Sequence, residues 1–457
     1  MKQYNQLRQQ YKTFEYTGFD VEEENELVKI TYHFNIPGLS KFDPKWRFML
    51  NGRKVSELKK NGTFMNMVFS LGMVELISYW KLCCPPTVNV YGYALDKKQI
   101  DWWKELYFLG LGEYFYTNNI KEATMTDFMT INSYGSPNEL QMCPLSDNAG
   151  CLVPIGGGKD SVVSIELLKK TNEKLKCYII NPRGATLNTV HVAGLDNDLL
   201  IAKRTLDKNM IELNAAGYLN GHTPYSAIVA FSATITAYLY NLKYITLSNE
   251  ASANESTVKD SDVNHQYSKS FKFEKDFHDY EASYIKSNTM YFSLLRPLSE
   301  FQIAKYFATC RDYHGIFRSC NVGSKEDIWC GHCPKCLFVY VILSPFLSRE
   351  HINEIFGRNM AEDMDMQETL DKLTGIAPEK PFECVGSRDE VNMALCITIS
   401  NMLKDNLKLP KLFEYYKSTY MYEEYSKKEC RFFKEFEQEN LLPDPFKRLV
   451  FESAVEH

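Results

Sequence analysis

The chain has 457 residues, of which 44% are hydrophobic and 14% aromatic, so it is long enough for two or three folded domains. Its formal net charge of −6 gives no general basic field, which argues against nucleic acid as a partner. The 13 cysteines are an odd number, and residues 1–14 lack the apolar segment of a secretory signal, so the composition favours a cytoplasmic protein with reduced thiols.

The first part of the chain, residues 1–145, is predicted to form a separate α+β domain, with substrate recognition as its candidate role. Residues 26–36 alternate between apolar and polar side chains, which predicts a half-buried strand. Residues 64–80 form the most apolar run, but Glu75 interrupts it, and its length is about the minimum for crossing a bilayer. We therefore expect a buried helix at 64–82 and no membrane span. The other elements predicted here are a strand at Val88–Tyr93 and a helix from about Lys98.

The second part, residues 146–345, is predicted to be an α/β nucleotide-binding domain that follows a linker at Asn132–Gly150. Strands alternate with helices, which favours a parallel sheet, and such sheets bind ligands at the carboxyl ends of their strands. Thr223 is the expected N-cap of one helix, with Pro224 at its first position. The predicted elements are strands at Leu152–Ile155, Lys176–Ile180 and Tyr244–Ser248, a helix from Asp160 to about Lys170 and a helix from Pro224 to about Asn241.

The remaining residues, 346–457, are predicted to be helical. Ser348 is a candidate N-cap. Residues 387–390 have the sequence Ser-Arg-Asp-Glu, the pattern of a capping box, and an apolar helical pattern follows them.

The segment Cys151–Ser161 carries the strongest functional signal in the chain. A short apolar strand leads into three consecutive glycines, and a helical pattern follows. Glycines let backbone N–H groups approach an anion closely, and the start of a helix adds the positive end of its dipole. The spacing is not that of a Walker A loop. It resembles the PP-loop of the ATP pyrophosphatases, usually Ser-Gly-Gly-x-Asp-Ser, with Gly156 in the place of the serine. The alternative is a glycine-rich turn without a ligand.

Four cysteines cluster at C-x9-C-x2-C-x2-C spacing, which predicts a metal site. Thiolates at such short spacings converge on one ion, and four sulfurs without a spare ligand are typical of a closed structural zinc site. An iron–sulfur cluster uses similar spacings, and His332 is an alternative ligand in place of a thiolate. Ordinary free thiols are the remaining alternative. The four residues are Cys320, Cys330, Cys333 and Cys336.

Polar residues also follow the third predicted strand of the nucleotide domain. Asn249 and Glu250 stand at its carboxyl end, where they would hold Mg²⁺ or orient a substrate. The alternative is a solvated loop. Further on, the stretch 264–270 contains His265 and Lys269, a mixture of acid–base groups that is unspecific when taken alone.

Two further residues are candidates for moving a proton. His222 precedes a helix N-terminus, where it would contact an anion or transfer a proton, although a lone histidine is more often a structural hydrogen-bonding group. Cys384 lies just upstream of the helix with the capping box, and a helix N-terminus lowers the pKa of a nearby thiol. The alternative for Cys384 is a small buried apolar residue.

Six segments together resemble the UDP-N-acetyl-muramoyl-L-alanyl-L-glutamate epimerase family of bacterial peptidoglycan synthesis. They are Pro154–Ser161, Asn220–Pro224, Ser248–Asn254, Asn264–Lys269, Cys330–Cys336 and Lys380–Gly386. The resemblance extends through Leu71–Lys81 and Gly110–Phe115 and so covers nearly the whole chain. Gly-Gly-Gly-Lys-Asp-Ser is the expected loop of that family, so Gly156 is not a departure from its pattern.

The resemblance implies a parallel-sheet PP-loop fold, similar to the adenine nucleotide alpha hydrolases, and an ATP-dependent epimerase. Its substrate would be UDP-MurNAc-L-Ala-L-Glu, whose terminal L-Glu becomes D-Glu through an acyl-adenylate while ATP gives AMP and diphosphate. The expected cofactors are ATP and Mg²⁺. The rival interpretations are a PP-loop ATP-dependent ligase or tRNA- or deazapurine-modifying enzyme, and a decayed nucleotide fold that serves as a zinc-stabilised binding module.

The resemblance also implies roles for individual residues. The expected pyrophosphate-binding groups are Gly156, Gly157, Gly158 and Ser161, with Lys159 to neutralise the phosphates and Asp160 to carry Mg²⁺. The candidates for proton transfer at the glutamate Cα are Cys384, His222, His265 and Lys269. Cys384 is favoured by chemical analogy with glutamate racemases, in which thiolates remove the α-proton.

Overall fold

The computed structural model describes residues 4–136, 150–257 and 264–456, and it has the predicted α/β architecture with a helical C-terminal region. The strands are β1 (Thr13–Glu24), β2 (Leu27–Ile36), β3 (Ser40–Phe42), β4 (Lys45–Met49), β5 (Thr87–Tyr93), β6 (Thr130–Ser136), β7 (Cys151–Pro154), β8 (Leu175–Ile180), β9 (Leu199–Thr205), β10 (Tyr244–Leu247) and β11 (Met290–Ser293).

The helices before the second half of the sheet are α1 (Tyr4–Gln10), α2 (Val55–Leu58), α3 (Gly62–Trp80), α4 (Lys97–Gly110) and α5 (Gly112–Thr117). Those among the later strands are α6 (Lys159–Leu168), α7 (Gly184–Val192), α8 (Lys208–Ala215), α9 (Tyr225–Tyr240) and α10 (Phe271–Tyr280). The C-terminal helices are α11 (Glu300–Thr309), α12 (Pro334–Leu343), α13 (Arg349–Phe356), α14 (Gln367–Thr374), α15 (Arg388–Lys404), α16 (Lys411–Lys417), α17 (Tyr420–Tyr425) and α18 (Asp444–Glu456).

One mixed sheet runs through the described residues in the order β11-β10-β7-β8-β9-β4-β2-β1-β5-β6, with β3 paired to β2. The five strands from β11 to β9 are parallel, as the alternation of strands and helices predicts. β4 pairs antiparallel with β9, so the strands of the N-terminal part continue the same sheet. The domain boundaries given above remain predictions.

Alternate residues of the parallel strands face two different cores. On β7, Leu152 belongs to an apolar cluster with α3 and α9, whereas Val153 belongs to a second cluster with α6, α11, α12 and α15. Since successive side chains of a strand point to opposite faces, the sheet lies between two helical layers. Helix α3 is buried along almost its whole length, as predicted. Among the described residues, no helix combines the length and apolarity that a membrane crossing needs.

Most predicted elements lie within one or two residues of their structural positions, but the predicted linker and one predicted cap are partly or wholly wrong. Residues 132–136 of the linker belong to β6, because they pair with β5, and residues 137–149 lie outside the described residues. The N-cap of α9 is Pro224 rather than Thr223, because Pro224 itself has non-helical backbone angles, and no side chain caps this helix. The caps predicted for the C-terminal region are confirmed. The Ser348 side chain accepts a hydrogen bond from the His351 N–H, and Ser387 and Glu390 form a capping box at the start of α15.

Candidate functional site

The glycine loop connects β7 to α6 at the carboxyl end of the parallel strands. Gly157 has φ +80°, and a Cβ there would lie 3.0 Å from the Cβ of Ala185, so this position requires glycine. Gly156 borders open space, and a Cβ at this position would have no atom within 4 Å. Gly158 is the N-cap of α6, and no side chain caps that helix. The loop therefore combines open space beside Gly156 with a helix start that no side chain caps, an arrangement that suits an anion.

Three carboxylates gather next to this loop. Asp160 begins α6, Glu250 follows β10, and Glu300 begins α11, and their carboxylate oxygens lie within 4.8 Å of one another. Buried Lys159 forms ion pairs with Asp160 and Glu300. Burial raises the pKa of Glu300 to about 8 although Lys159 opposes the shift, whereas for Asp160 the charges of Lys159 and Lys335 outweigh burial and lower the pKa.

This set of oxygen donors fits Mg²⁺, which binds carboxylates and phosphate oxygens together. Asp160 and Glu250 were both expected from the sequence, whereas Glu300 was not, because it follows a strand that no sequence pattern predicted. The ammonium group of Lys159 is bonded to carboxylates, so its contact with phosphate remains a prediction. Ser161 donates its hydroxyl to the Gly158 carbonyl at 3.0 Å.

Buried polar contacts fix the segment after β10. The Asn249 side chain donates to the Ser293 hydroxyl at 3.0 Å. The fully buried guanidinium of Arg296 donates to the Glu250 carbonyl at 2.6 Å and pairs with Glu274 at 2.9 Å. Because these partners hold the backbone, the Glu250 carboxylate has a defined position at the carboxyl edge of the sheet.

The segment of Cys384 packs against this carboxylate cluster, since a Cβ at Gly386 would lie 3.1 Å from Cγ of Glu300, and the thiol has cationic neighbours. Burial raises the pKa of its thiol, but Lys269, a hydrogen bond from His265 and the charge of Lys335 together lower that pKa to about 6. The Lys335 ammonium also donates to the Cys384 carbonyl. The sequence predicted a lowered pKa from the helix end alone. The structure instead assigns the shift to neighbouring cations.

Two histidines and one glutamate extend the site next to the thiol. The Glu113 carboxylate of α5 bonds to Nδ1 of His265 and lies 3.3 Å from Nδ1 of His222, and the two imidazole rings are 4.5 Å apart. Burial and the positive charge of His265 lower the pKa of His222 to about 4. Burial opposes protonation of His265, but its hydrogen bonds to Cys384 and Glu113 raise its pKa to about 9.

Lys269 joins the thiol to the carboxylate cluster. Burial lowers the pKa of this amine, but the charges of Cys384, Glu250 and Asp160 outweigh burial and raise it. The structure thus brings together all four residues that the sequence proposed for proton transfer: Cys384, His222, His265 and Lys269. Glu113 and Lys335 were not expected at this site from the sequence. Both lie in segments that carried the family resemblance, but neither had a spacing that marked it.

The four clustered cysteines converge at the start of α12. Their Sγ atoms lie within 4.8 Å of one another, with separations of 3.8 Å for Cys320–Cys333, 3.7 Å for Cys330–Cys336 and 3.5 Å for Cys333–Cys336. Sulfurs about 2.3 Å from a tetrahedral zinc ion are about 3.8 Å apart, so this set fits zinc.

Backbone N–H groups already point at these sulfurs. Gly323 and Cys330 donate to the Cys320 sulfur at 3.1 and 3.4 Å, which suits a thiolate acceptor. His332 is not part of this set, since its Nδ1 lies 3.5 Å from the guanidinium of Arg358.

Comparison with known proteins places this site in a known context. Residues 5–294 match the family model described as the MurL N-terminal domain, and residues 316–418 match the MurL C-terminal domain. Three relatives carry the name UDP-N-acetyl-alpha-D-muramoyl-L-alanyl-L-glutamate epimerase. The relative from Xanthomonas oryzae pv. oryzae is 33% identical over 342 residues, which cover 72% of this chain and 74% of the relative. Those from Micromonospora sp. and Salinispora tropica are each 34% identical over 72% of this chain and 73% and 72% of their own lengths.

Proposed function

Because this chain belongs to the UDP-N-acetyl-alpha-D-muramoyl-L-alanyl-L-glutamate epimerase family, we propose that it converts the terminal L-Glu of UDP-MurNAc-L-Ala-L-Glu to D-Glu for peptidoglycan synthesis. The reaction consumes ATP and yields AMP and diphosphate. One observation carries the proposal beyond the family: the segment of Cys384 packs against the carboxylates beside the glycine loop, since a Cβ at Gly386 would lie 3.1 Å from Cγ of Glu300, and the charges of both groups act on Lys269. A group for carboxylate activation and a group for proton transfer therefore share one site.

Activation removes the main obstacle to the reaction. The Cα–H of a terminal glutamate is hard to ionise while the neighbouring carboxylate is anionic, because deprotonation would place two negative charges side by side. An oxygen of the substrate's α-carboxylate attacks the α-phosphorus of ATP. The bond between the α-phosphorus and the oxygen that bridges to the β-phosphate breaks, and diphosphate leaves. The resulting acyl-adenylate is uncharged at the acyl carbon and can accept the electron pair of the Cα–H bond on its carbonyl oxygen.

The protein's groups around the loop suit this step. The glycine loop and the start of α6 bind the phosphates, and Asp160 and Glu250, with Glu300, would hold Mg²⁺. When bound, Mg²⁺ supplies positive charge to the phosphate oxygens. Lys269 supplies positive charge that acts both on the Cys384 thiolate and on the carboxylates of Glu250 and Asp160.

Proton transfer then changes the configuration. The Cys384 thiolate takes the proton from Cα, the electron pair moves to the acyl oxygen, and a donor on the opposite face returns a proton. His222, His265 and Lys269 are the candidates for assisting these transfers. Water finally attacks the mixed anhydride, which releases AMP and restores the carboxylate.

Diphosphate release from ATP tests the proposal. It should require UDP-MurNAc-L-Ala-L-Glu, and the product should contain D-Glu and AMP in equal amounts. Release that depends on tRNA or a deazapurine would instead support a modifying enzyme. No release with any of these substrates would support a binding module.

The cysteine set has a separate, structural role in this proposal. Cys320, Cys330, Cys333 and Cys336 hold one zinc ion, whose closed ligand set leaves no position for a substrate. The ion would fix the start of α12, which carries Lys335 towards Cys384.

A further inference from the structure

The His265 imidazole is held from both sides. Its Nδ1 bonds to the Glu113 carboxylate, and the ring also forms a hydrogen bond with Cys384. An imidazole has two nitrogens, and since Nδ1 is bonded to Glu113, we assign the contact with the thiol to Nε2. The backbone N–H of His265 donates to the Thr257 hydroxyl at 3.0 Å, which fixes the residue as well as its ring.

We propose that Glu113 is a positioning residue that acts through His265 to keep Cys384 ionised, so that the three residues work as one unit. This inference rests on the proposed function and adds a residue from α5 to the proton-transfer machinery. Glu113 touches neither the thiol nor the carboxylate cluster in the contacts described above. Its effect on Cys384 therefore passes through the imidazole.

A third group is needed because of the charge changes during proton transfer. Before the transfer, the Cys384 thiolate and the His265 imidazolium neutralise each other. When the thiolate accepts the Cα proton, its negative charge disappears, and a buried imidazolium would be left without a partner. The Glu113 carboxylate, which is bonded to Nδ1 of the same ring, compensates that charge. His265 keeps both of its protons, and the transferred proton resides on Sγ.

The surrounding charges do not supply this compensation. Among the described residues, the neighbours of Cys384 and His265 include the cations Lys269 and Lys335, the neutral imidazole of His222 and the Glu383 carboxylate. The Lys81 ammonium acts on Glu113 and His222 and is a further cation. Glu383 accepts a hydrogen bond from the Lys335 backbone at 3.1 Å and is not bonded to His265 in the described contacts. Glu113 is the carboxylate that meets His265 directly.

The test is the pH dependence of Cys384 alkylation by iodoacetamide, followed by peptide mass spectrometry, in the wild type and in Glu113→Gln. Loss of the carboxylate disfavours the His265 imidazolium, and the thiolate loses its nearest cation. Loss of the negative charge also favours the thiolate slightly, but Glu113 lies beyond the imidazole, so the first effect is larger. In Glu113→Gln we expect the pH midpoint of Cys384 alkylation to rise by about one unit. At pH 5 this shift makes alkylation about tenfold slower than in the wild type.

Glu379→Gln is the matched control. Glu379 also accepts a hydrogen bond from α5, through Tyr116, but does not reach the histidines. Its alkylation midpoint should equal that of the wild type. Glu113→Asp keeps the charge on a shorter side chain and should have a midpoint between those of wild type and Glu113→Gln.

Substrate experiments separate this inference from the proposed function. In Glu113→Gln, incorporation of solvent deuterium at the glutamate Cα should fall about tenfold at pH 5, again by the one-unit shift, while diphosphate release continues. If the wild type incorporates no deuterium, the proposed function fails, and the alkylation midpoints still test the unit. An unchanged midpoint in Glu113→Gln overturns the inference. If that variant does not fold, Glu113→Asp decides in the same way, by a raised or an unchanged midpoint.

Discussion

Cys384 and His265 form a hydrogen-bonded pair whose protonation would set the conditions for the proposed proton removal. Lys269 and His265 lower the pKa of Cys384 to about 6, and the thiol and Glu113 raise that of His265 to about 9. Around neutral pH the pair is therefore a thiolate beside an imidazolium. The two values belong to the pair as a whole, since each group shifts the other.

This pairing predicts a bell-shaped pH profile for epimerisation. The rate should rise as the pH increases through about 6, because the thiol becomes a thiolate, and fall above about 9, because the imidazolium loses its proton and its charge no longer supports the developing anion. The measurement is kcat/KM for D-Glu formation between pH 5 and 10. A profile without a rise near pH 6 would contradict the role of Cys384.

At the scale of elements, the glycine loop places its first two glycines in different surroundings. Gly157 has a left-handed backbone and packs against Ala185, whereas Gly156 faces open space. Gly157→Ala should lower the free energy of unfolding by about 1–3 kcal/mol, because the methyl group meets α7 and the backbone is strained. Urea denaturation measures this difference.

Gly156→Ala provides the comparison for that substitution. Its methyl group meets no protein atom, so the free energy of unfolding should change by less than about 0.5 kcal/mol. The methyl would instead occupy the space proposed for phosphates, and the KM for ATP should rise. Equal destabilisation by the two substitutions would contradict this account of the loop.

Local patterns explain which elements the sequence could predict. β2 and α3 have clear periodicity, and the loop between β7 and α6 has a distinctive composition, so each was located within about two residues. β9 was missed, because its residues 203–205 are polar and only part of the strand is buried. The place of β9 in the sheet depends on its pairing with β4, and the paired residues, such as Phe48 and Ala202, are at least 154 positions apart in the chain.

The candidate site shows the same limit at the residue level. Cys384, His265 and Lys269 stood in recognisable segments, but nothing in the sequence placed α5 beside them. Glu113 is 152 positions from His265, and Cys384 is farther still along the chain. The contact between Glu113 and His265 depends on how α5 packs against the loop that carries His265. No local sequence pattern predicts that packing.

At the scale of the whole molecule, the site joins distant parts of the chain. Glu113 comes from the N-terminal part, His265 and Lys269 from the residues after β10, and Cys384 from the segment before α15. The buried ion pair between Arg204 of β9 and Glu75 of α3, at 2.8 Å, connects the N-terminal part to the parallel strands of the sheet. Correct placement of Glu113 therefore depends on the assembled sheet.

The cysteine set leads to a prediction about metal content and stability. Purified protein should contain one zinc ion per chain, and Cys333→Ser should lose it and unfold at a lower temperature, since a structural zinc ion contributes directly to folding. Cys310→Ser, which alters a half-buried thiol outside the set, is the control and should keep its zinc. Elemental analysis and thermal unfolding make the measurement. Iron in place of zinc would indicate a cluster, and the absence of both metals would contradict the prediction.

The most direct test of the central claim compares two reactions of Cys384→Ala in D₂O with ATP and UDP-MurNAc-L-Ala-L-Glu. The variant keeps the glycine loop and the carboxylate cluster, so it should still release diphosphate, but it should incorporate no deuterium at the glutamate Cα and form no D-Glu. The wild type and the control Cys310→Ala should release diphosphate, incorporate deuterium at the glutamate Cα and form D-Glu. Deuterium incorporation and D-Glu formation at the normal rate in Cys384→Ala would contradict the account.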